Sequence, residues 1–362
     1  MTQLHTRLTR ALAGAALVAM TAGTAMAQDS YPTDPAALYE AAQDEGSLVW
    51  YTGTPINSAQ KMAEAFGEAY PGVTVEVVRL PNLQQMQRFS QESASGRHMA
   101  DVLALDNVSM AALIKNGFIA DWKVPSYDDI VPEARMGTQA YAPFYIDTAI
   151  LYNTNKVSEE EAKLLAGDWN AILDPRFKGR MAVTNQKCAV CYNAVHMFLD
   201  PKLADRYGPE FLTKIGEQQP AVYPEINIGV DRVIAGEKDF MVTVFESSVV
   251  PKWQEGAPIR WVHPSPTPLS LTSAWSAVSA NAPSPNAARL FLDWWMSPEG
   301  AKVQQESYGG RSTLKSVPDN RAFTKEPWYD AVTEPYAPDL PRWEANFNAD
   351  MDMWLKAIGG AK

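Results

Sequence analysis

Cys188 and Cys191 are the only two cysteines of a 362-residue chain, and they stand as CxxC in "TNQKCAVCYNAV". Three chemistries use this spacing: a disulfide, half of a soft-metal site, and thiol exchange. Zinc would want more soft ligands, and His196, five residues past Cys191, falls on a different helical face. Thiol exchange would want a compact redox domain around the motif, and the flanking pattern offers none. The expectation carried forward is a disulfide staple between Cys188 and Cys191, with two reduced cysteines, redox exchange and metal binding as the alternatives. Enzyme signatures are missing: there is no G-x-S-x-G, H-E-x-x-H or P-loop, and past residue 27 only His98, His196 and His263 occur. No catalysis, cofactor or metal is expected.

The first residues, "MTQLHTRLTRALAGAALVAMTAGTAMAQDS", place Arg7 and Arg10 before an alanine-rich apolar run and small residues at Ala25 and Ala27. That is the pattern of a secretory leader, residues 1–27, removed after Ala27. No later run approaches the roughly 20 apolar residues of a membrane span. The mature protein is therefore expected outside the cytoplasm, where an oxidising milieu permits a disulfide. The formal net charge is −11, and the leader carries only positive charge, so nucleic acid and anionic membranes are poor partners.

Elements that would position a site follow from periodicity. "SLVWY" reads as a buried strand and "INSAQKMAEAFGEAY" as a helix stopped at Pro71-Gly72; "VTVEVVRL", "LQQMQRFSQESAS", "DVLAL" and "SMAALIKNG" continue the alternation. Strands alternating with helices across short connections predict a parallel α/β sheet. A second set begins at "GRMAV", with a helix from about Ala189 to Leu199, a helix in "LADRYGPEFLTKIGEQQ", a short one at "VDRVIAGE" and the strand "DFMVTVF". The β-rich "YAPFYIDTAILYNTNKV" and the Pro-rich "HPSPTPLS" read as crossings between two lobes. Two α/β lobes with a cleft at the strand C-termini are expected, lobe one as 28–140 and 268–311 and lobe two as 141–267 and 312–362.

The stretches "LVWYTGTP", "ADVLALDN", "ILYNTNKV", "DWNAILDPRFKGRMAV" and "NAPSPNAARLFLDWWMSPEGAKVQQ" together resemble the periplasmic solute-binding proteins of ABC importers, in the branch that includes ferric-iron-binding proteins. The resemblance implies a type II periplasmic-binding fold, a small-molecule ligand, a membrane permease as partner, a periplasmic location and a monomer. Iron-binding members use adjacent tyrosines where this chain has Glu246 and Ser247, and a histidine near Pro55; no Tyr-Tyr occurs here. Asp106 alone matches an iron ligand, so iron is disfavoured.

Strand-end positions supply the candidate ligand contacts. Asp106 with neighbouring Asn107, and Glu246 with Ser247, are expected to receive an ammonium group, although either acid alone is as readily a helix cap. An anionic end would sit on the helix starts at Thr52, Gly53 and Thr54 and at Ala189, Val190 and Cys191, the latter aligning with an anion-contacting turn of the iron-binding relatives. Arg311 is a candidate anion partner, and Tyr145, Tyr192 and Trp275 are candidate aromatic walls. An aminoalkylphosphonate is the expected ligand. Ferric iron held by tyrosines such as Tyr51, Tyr145 or Tyr192, a sugar phosphate, or a polyamine are the alternatives.

Overall fold

The computed structural model describes residues 31–271 and 274–359, so the expected leader lies outside the described residues. In the first half, β1 (Ser47–Thr52), β2 (Thr74–Arg79) and β3 (Val102–Leu105) alternate with helices Ile56–Ala69, Asn82–Ala94 and Asn107–Lys115. β1 pairs in parallel with both β2 and β3, as helical crossovers require. Helix Ile56–Ala69 buries Ala59, Met62 and Phe66, one stripe at helical spacing, and stops short of Gly72, whose φ of 98° suits glycine. Several helices escaped the periodicity reading, among them Glu159–Gly167, Glu246–Gln254, Leu340–Ala357 and the first helix, Pro35–Glu45, which is capped by Asp34. Its last residue, Glu45, accepts from the backbone N–H of Asn286 and Ala287 and so caps helix Pro285–Trp295 from outside.

Short strands β4 (Arg135–Met136) and β5 (Ala140–Tyr141) precede β6 (Phe144–Asn153), whose ten residues are all buried. Around β6 the chain builds β7 (Met181–Thr184), β8 (Ala221–Tyr223), β9 (Phe240–Phe245), β10 (Ile259–Val262) and β11 (Thr267–Ser270). β12 (Trp275–Val278) returns to the first sheet, and β13 (Arg311–Ser312) and β14 (Pro335–Tyr336) go to the second. Strand order is β2-β1-β3-β12-β5-β4 in one sheet and β14-β11-β6-β9-β7-β8 in the other, with β10 and β13 also on β6. The chain therefore passes between sheets after β5, after β11 and before β13. The crossing expected within "HPSPTPLS" falls just after it: Leu269 and Ser270 pair with Asp147 and Ile146 in the second sheet.

Each sheet has its own core. Trp50, Phe66, Phe291, Trp294 and Trp295 interlock under the first, so the adjacent tryptophans Trp294 and Trp295 serve packing. Trp169, Tyr192, Phe198, Trp343 and Trp354 pack under the second, against helices Ala189–Phe198 and Leu340–Ala357. The joint between helices Pro285–Trp295 and Pro298–Tyr308 is tight. A Cβ on Gly300 would lie 2.1 Å from the Trp294 carbonyl oxygen and 2.8 Å from Trp295 Cα, both backbone atoms. Gly300→Ala is therefore expected to destabilise by about 1–3 kcal/mol in urea denaturation, the cost of overpacking.

Candidate functional site

β1 ends in a turn set by its own side chains. Thr52 Oγ1 accepts from the Thr54 backbone N–H at 3.1 Å and its hydroxyl donates to Thr54 Oγ1 at 3.0 Å. The helix that follows, Ile56–Ala69, has no side-chain cap; Ser58 N–H turns back to the Pro55 carbonyl, and the amides of Ile56 and Asn57 keep their donors. Gly53 brings its backbone close to Asn82, where a Cβ would stand 3.2 Å from Oδ1. Gly53, Thr54, Asn82 and Ala104 from the first sheet's strand ends join Phe144, Ala274 and Tyr308 around a cavity of about 90 Å³. Among the described residues, no charged side chain lines it. Ala274 adopts φ 67°, a left-handed conformation costly for alanine, on the cavity wall.

The CxxC turn shares an apolar cluster with this cavity. Cys188 and Cys191 form a disulfide. Cys188 Sγ accepts from the Cys191 N–H at 3.1 Å and caps helix Ala189–Phe198. Cys188, Val190 and Cys191 pack into the cluster that includes Phe144 and Phe245, against which Ala274 and Tyr308 also lie. The two helix starts singled out in the sequence thus border one apolar body, with the disulfide among its members.

The acids are committed elsewhere. Asp106 is the N-cap of helix Asn107–Lys115, accepting from the Ser109 N–H at 2.8 Å and the Ser109 hydroxyl at 2.9 Å. Glu246, buried at the start of helix Glu246–Gln254, accepts from Trp261 Nε1 at 3.1 Å and forms an ion pair with Arg321. His263 Nε2 stands 3.0 Å from the same carboxylate, close enough to pair but not aligned as a hydrogen bond. Arg321 also reaches Asp147 at 3.2 Å, Asp319 at 2.7 Å and the Gly309 carbonyl at 3.0 Å. Arg311 binds Asp147 with both Nε, at 3.1 Å, and Nη2, at 2.9 Å. Burial would raise the Asp147 carboxyl, but Arg311 and Arg321 hold it well below the usual carboxylate range. Burial likewise opposes charge on His263, yet the Glu246 carboxylate raises its pKa.

This network corrects three expectations. Glu246 is not an open acceptor for an ammonium group, because Arg321 already occupies it. Arg311 is not an open anion partner, because Asp147 takes its fork. Tyr145 is not a free wall: its hydroxyl donates to Glu133 at 3.1 Å and its ring lies under Arg311. Two further aromatic walls prove to be core. Tyr192 is fully buried among His196, Trp343 and Phe347, its hydroxyl donating to Asp350 at 2.6 Å, and Trp275 is fully buried in the first core. Asn107 is buried with both side-chain polar atoms unpartnered, and Ser247 lines a separate cavity of about 310 Å³ with Tyr308 and Arg321.

Sequence reading missed Asn82, Phe144 and Tyr308 on the cavity wall, and Asp147 and Arg321 in the network. Asn82 follows β2 and opens a helix, so the strand-end rule that found Thr52–Thr54 would have found it too. Arg321, in "PDNRAF", carries no local signal. Among the described residues, no group of three His, Cys, Asp or Glu is placed to hold a metal, and no helix is long and apolar enough to cross a membrane.

Two α/β lobes traversed by several crossings, with a cavity at their strand ends, define the two-lobed architecture of a binding protein. The model of the bacterial extracellular solute-binding proteins matches residues 61–331, and the chain belongs to that family. Among solved structures it is similar to iron-bound HitA from Pseudomonas aeruginosa, at 18% identity over 86% of this chain and 99% of that one, with a TM-score of 0.65. It is similar to the Trichodesmium protein IdiA (FutA) in complex with iron and citrate, at 16% identity over 87% and 99%, TM-score 0.69. It is also similar to AfuA from Actinobacillus pleuropneumoniae with fructose-6-phosphate bound, at 18% identity over 88% and 100%, TM-score 0.60. At these identities the likeness is one of fold. The comparison with curated proteins finds no match.

Proposed function

We propose that this chain is the solute-capturing component of an ABC importer, working in the periplasm, and that its solute is a small organic anion of the phosphonate or phosphate-ester class. Family membership and the two-lobed fold support the first part. The observation that carries the second is that the strand-end cavity is lined by neutral donors and aromatic surface, whereas Asp106 and Glu246 are already spent on Ser109 and Arg321. An anionic head would rest on the uncapped amides of Ile56 and Asn57, past Pro55, with the Thr54 hydroxyl and Asn82 amide at its oxygens. Closure of the lobes follows from contacts with both sides of the cavity, which favour the closed state.

An aminoalkylphosphonate belongs to this class, but its amino group is not what this site reads. The sugar phosphate named in the AfuA structure belongs to the class as well. The test is a thermal-shift series on ligand-stripped protein with an alkylphosphonate, the matching aminoalkylphosphonate, a hexose phosphate, a polyamine and ferric iron. A ligand at about 100 times its Kd adds about 2.7 kcal/mol of stability. The alkyl and aminoalkyl compounds are expected to shift the melt nearly equally, and the polyamine not at all. A response to polyamine or to ferric iron alone would overturn the anionic reading.

A further inference from the structure

A second cavity, of about 450 Å³, lies on the second lobe and shares no lining residue with the strand-end cavity. Its volume falls within the range of small-molecule sites. The edge strand β10 contributes Arg260 and Val262, β6 contributes Tyr152, helix Glu159–Gly167 contributes Lys163, and the segment 326–330 contributes Trp328. A neighbouring depression of about 260 Å³ shares Arg260, Glu326 and Trp328, so these three side chains form the wall between two hollows.

Arg260 is the unusual member. It is half-buried with its guanidinium 5.7 Å from the Trp328 ring, and it acts on the Tyr152 hydroxyl, yet it enters no ion pair among the described residues. Elsewhere half-buried arginines such as Arg180 and Arg311 are matched by carboxylates at hydrogen-bonding distance. Trp328 is held rigidly, 4.8 Å from Trp261 and 6.1 Å from Trp253, so its exposed part is a fixed platform. The other charges facing the cavity are Glu159, Glu326 and Asp330, acidic, and Lys163, basic. A simple anion would meet an excess of carboxylates, and a simple cation would leave Arg260 unanswered. A zwitterion answers both.

We propose that this cavity is a second binding site for a zwitterion with an aromatic or broad apolar body, of the aromatic amino-acid type. The ligand carboxylate takes the Arg260 fork, its ring lies against Trp328 beside Val262, and its ammonium faces Glu159, Glu326 and Asp330. The probe is L-phenylalanine, titrated by calorimetry and by ligand-observed NMR into the full mature chain, with benzoate and phenethylamine as single-charge controls. Phenylalanine is expected to bind at least tenfold more tightly than either control, and Arg260→Gln to weaken it at least tenfold. Thermal melts of Arg260→Gln, and a second variant, Lys356→Ala at an exposed position of helix Leu340–Ala357 that lines neither cavity, separate loss of the site from loss of the fold. Lys356→Ala is expected to leave phenylalanine bound. No binding by the wild-type chain, equal binding of the controls, or an affinity that falls with Thr54→Val but not with Arg260→Gln would overturn the proposal.

Discussion

Replacing Arg321 by methionine is expected to cost the fold about 3–5 kcal/mol, because it leaves the buried Glu246 carboxylate with only Trp261 and His263 and Asp147 with one arginine instead of two. Breaking one side of a buried pair removes the attraction but keeps the desolvation. The double variant Arg321→Met with Glu246→Gln is expected to recover a large part of the loss, and a double-mutant cycle by urea denaturation measures how much. A loss below about 1 kcal/mol would mean that the network is no more than a surface ion pair in strength. The acid limb gives an independent reading. Asp147 has a depressed pKa in the fold, so its contribution is present above the ordinary carboxylate pKa and is lost as pH falls. In Arg321→Met the steepness of that acid limb is expected to diminish. Arg321 also holds the Gly309 carbonyl, next to Tyr308 on the cavity wall, so ligand-induced stabilisation should shrink as well.

Asp293→Asn is expected to stabilise the protein at alkaline pH and to do little in acid. Burial pushes the Asp293 carboxyl up to about 7, against the lowering effects of the Trp122 Nε1 hydrogen bond at 2.8 Å and of Arg289. A raised folded-state pKa means that the contribution is fully present below the unfolded carboxylate pKa and is lost as pH rises through about 7. An asparagine keeps an acceptor for Trp122 and cannot ionise. The expected gain is roughly 2–4 kcal/mol near pH 8 and about zero near pH 4. Melting temperatures of both proteins at the two pH values check this, and a gain that does not change with pH would show that ionisation of Asp293 is not the cause.

The sequence by itself determined the alternation of strands and helices, the number of sheets, the helix starts at Thr52–Thr54 and Ala189–Cys191, and the capping role open to Asp106. All of these are local effects. Side-chain periods, caps three residues away and a CxxC turn act within one or two turns of chain, so neighbouring letters report them. What only the tertiary structure decided is which charges remain available. Glu246 looked like a ligand acid because it ends a strand, but its partner Arg321 lies 75 residues on, and Arg311 meets Asp147 across 164 residues. No short-range pattern announces such pairs. They form because the segment after Gly309 returns along β6 and buries its arginines beside acids that would otherwise be unpaired, and a buried charge takes the counter-charge that packing brings to it.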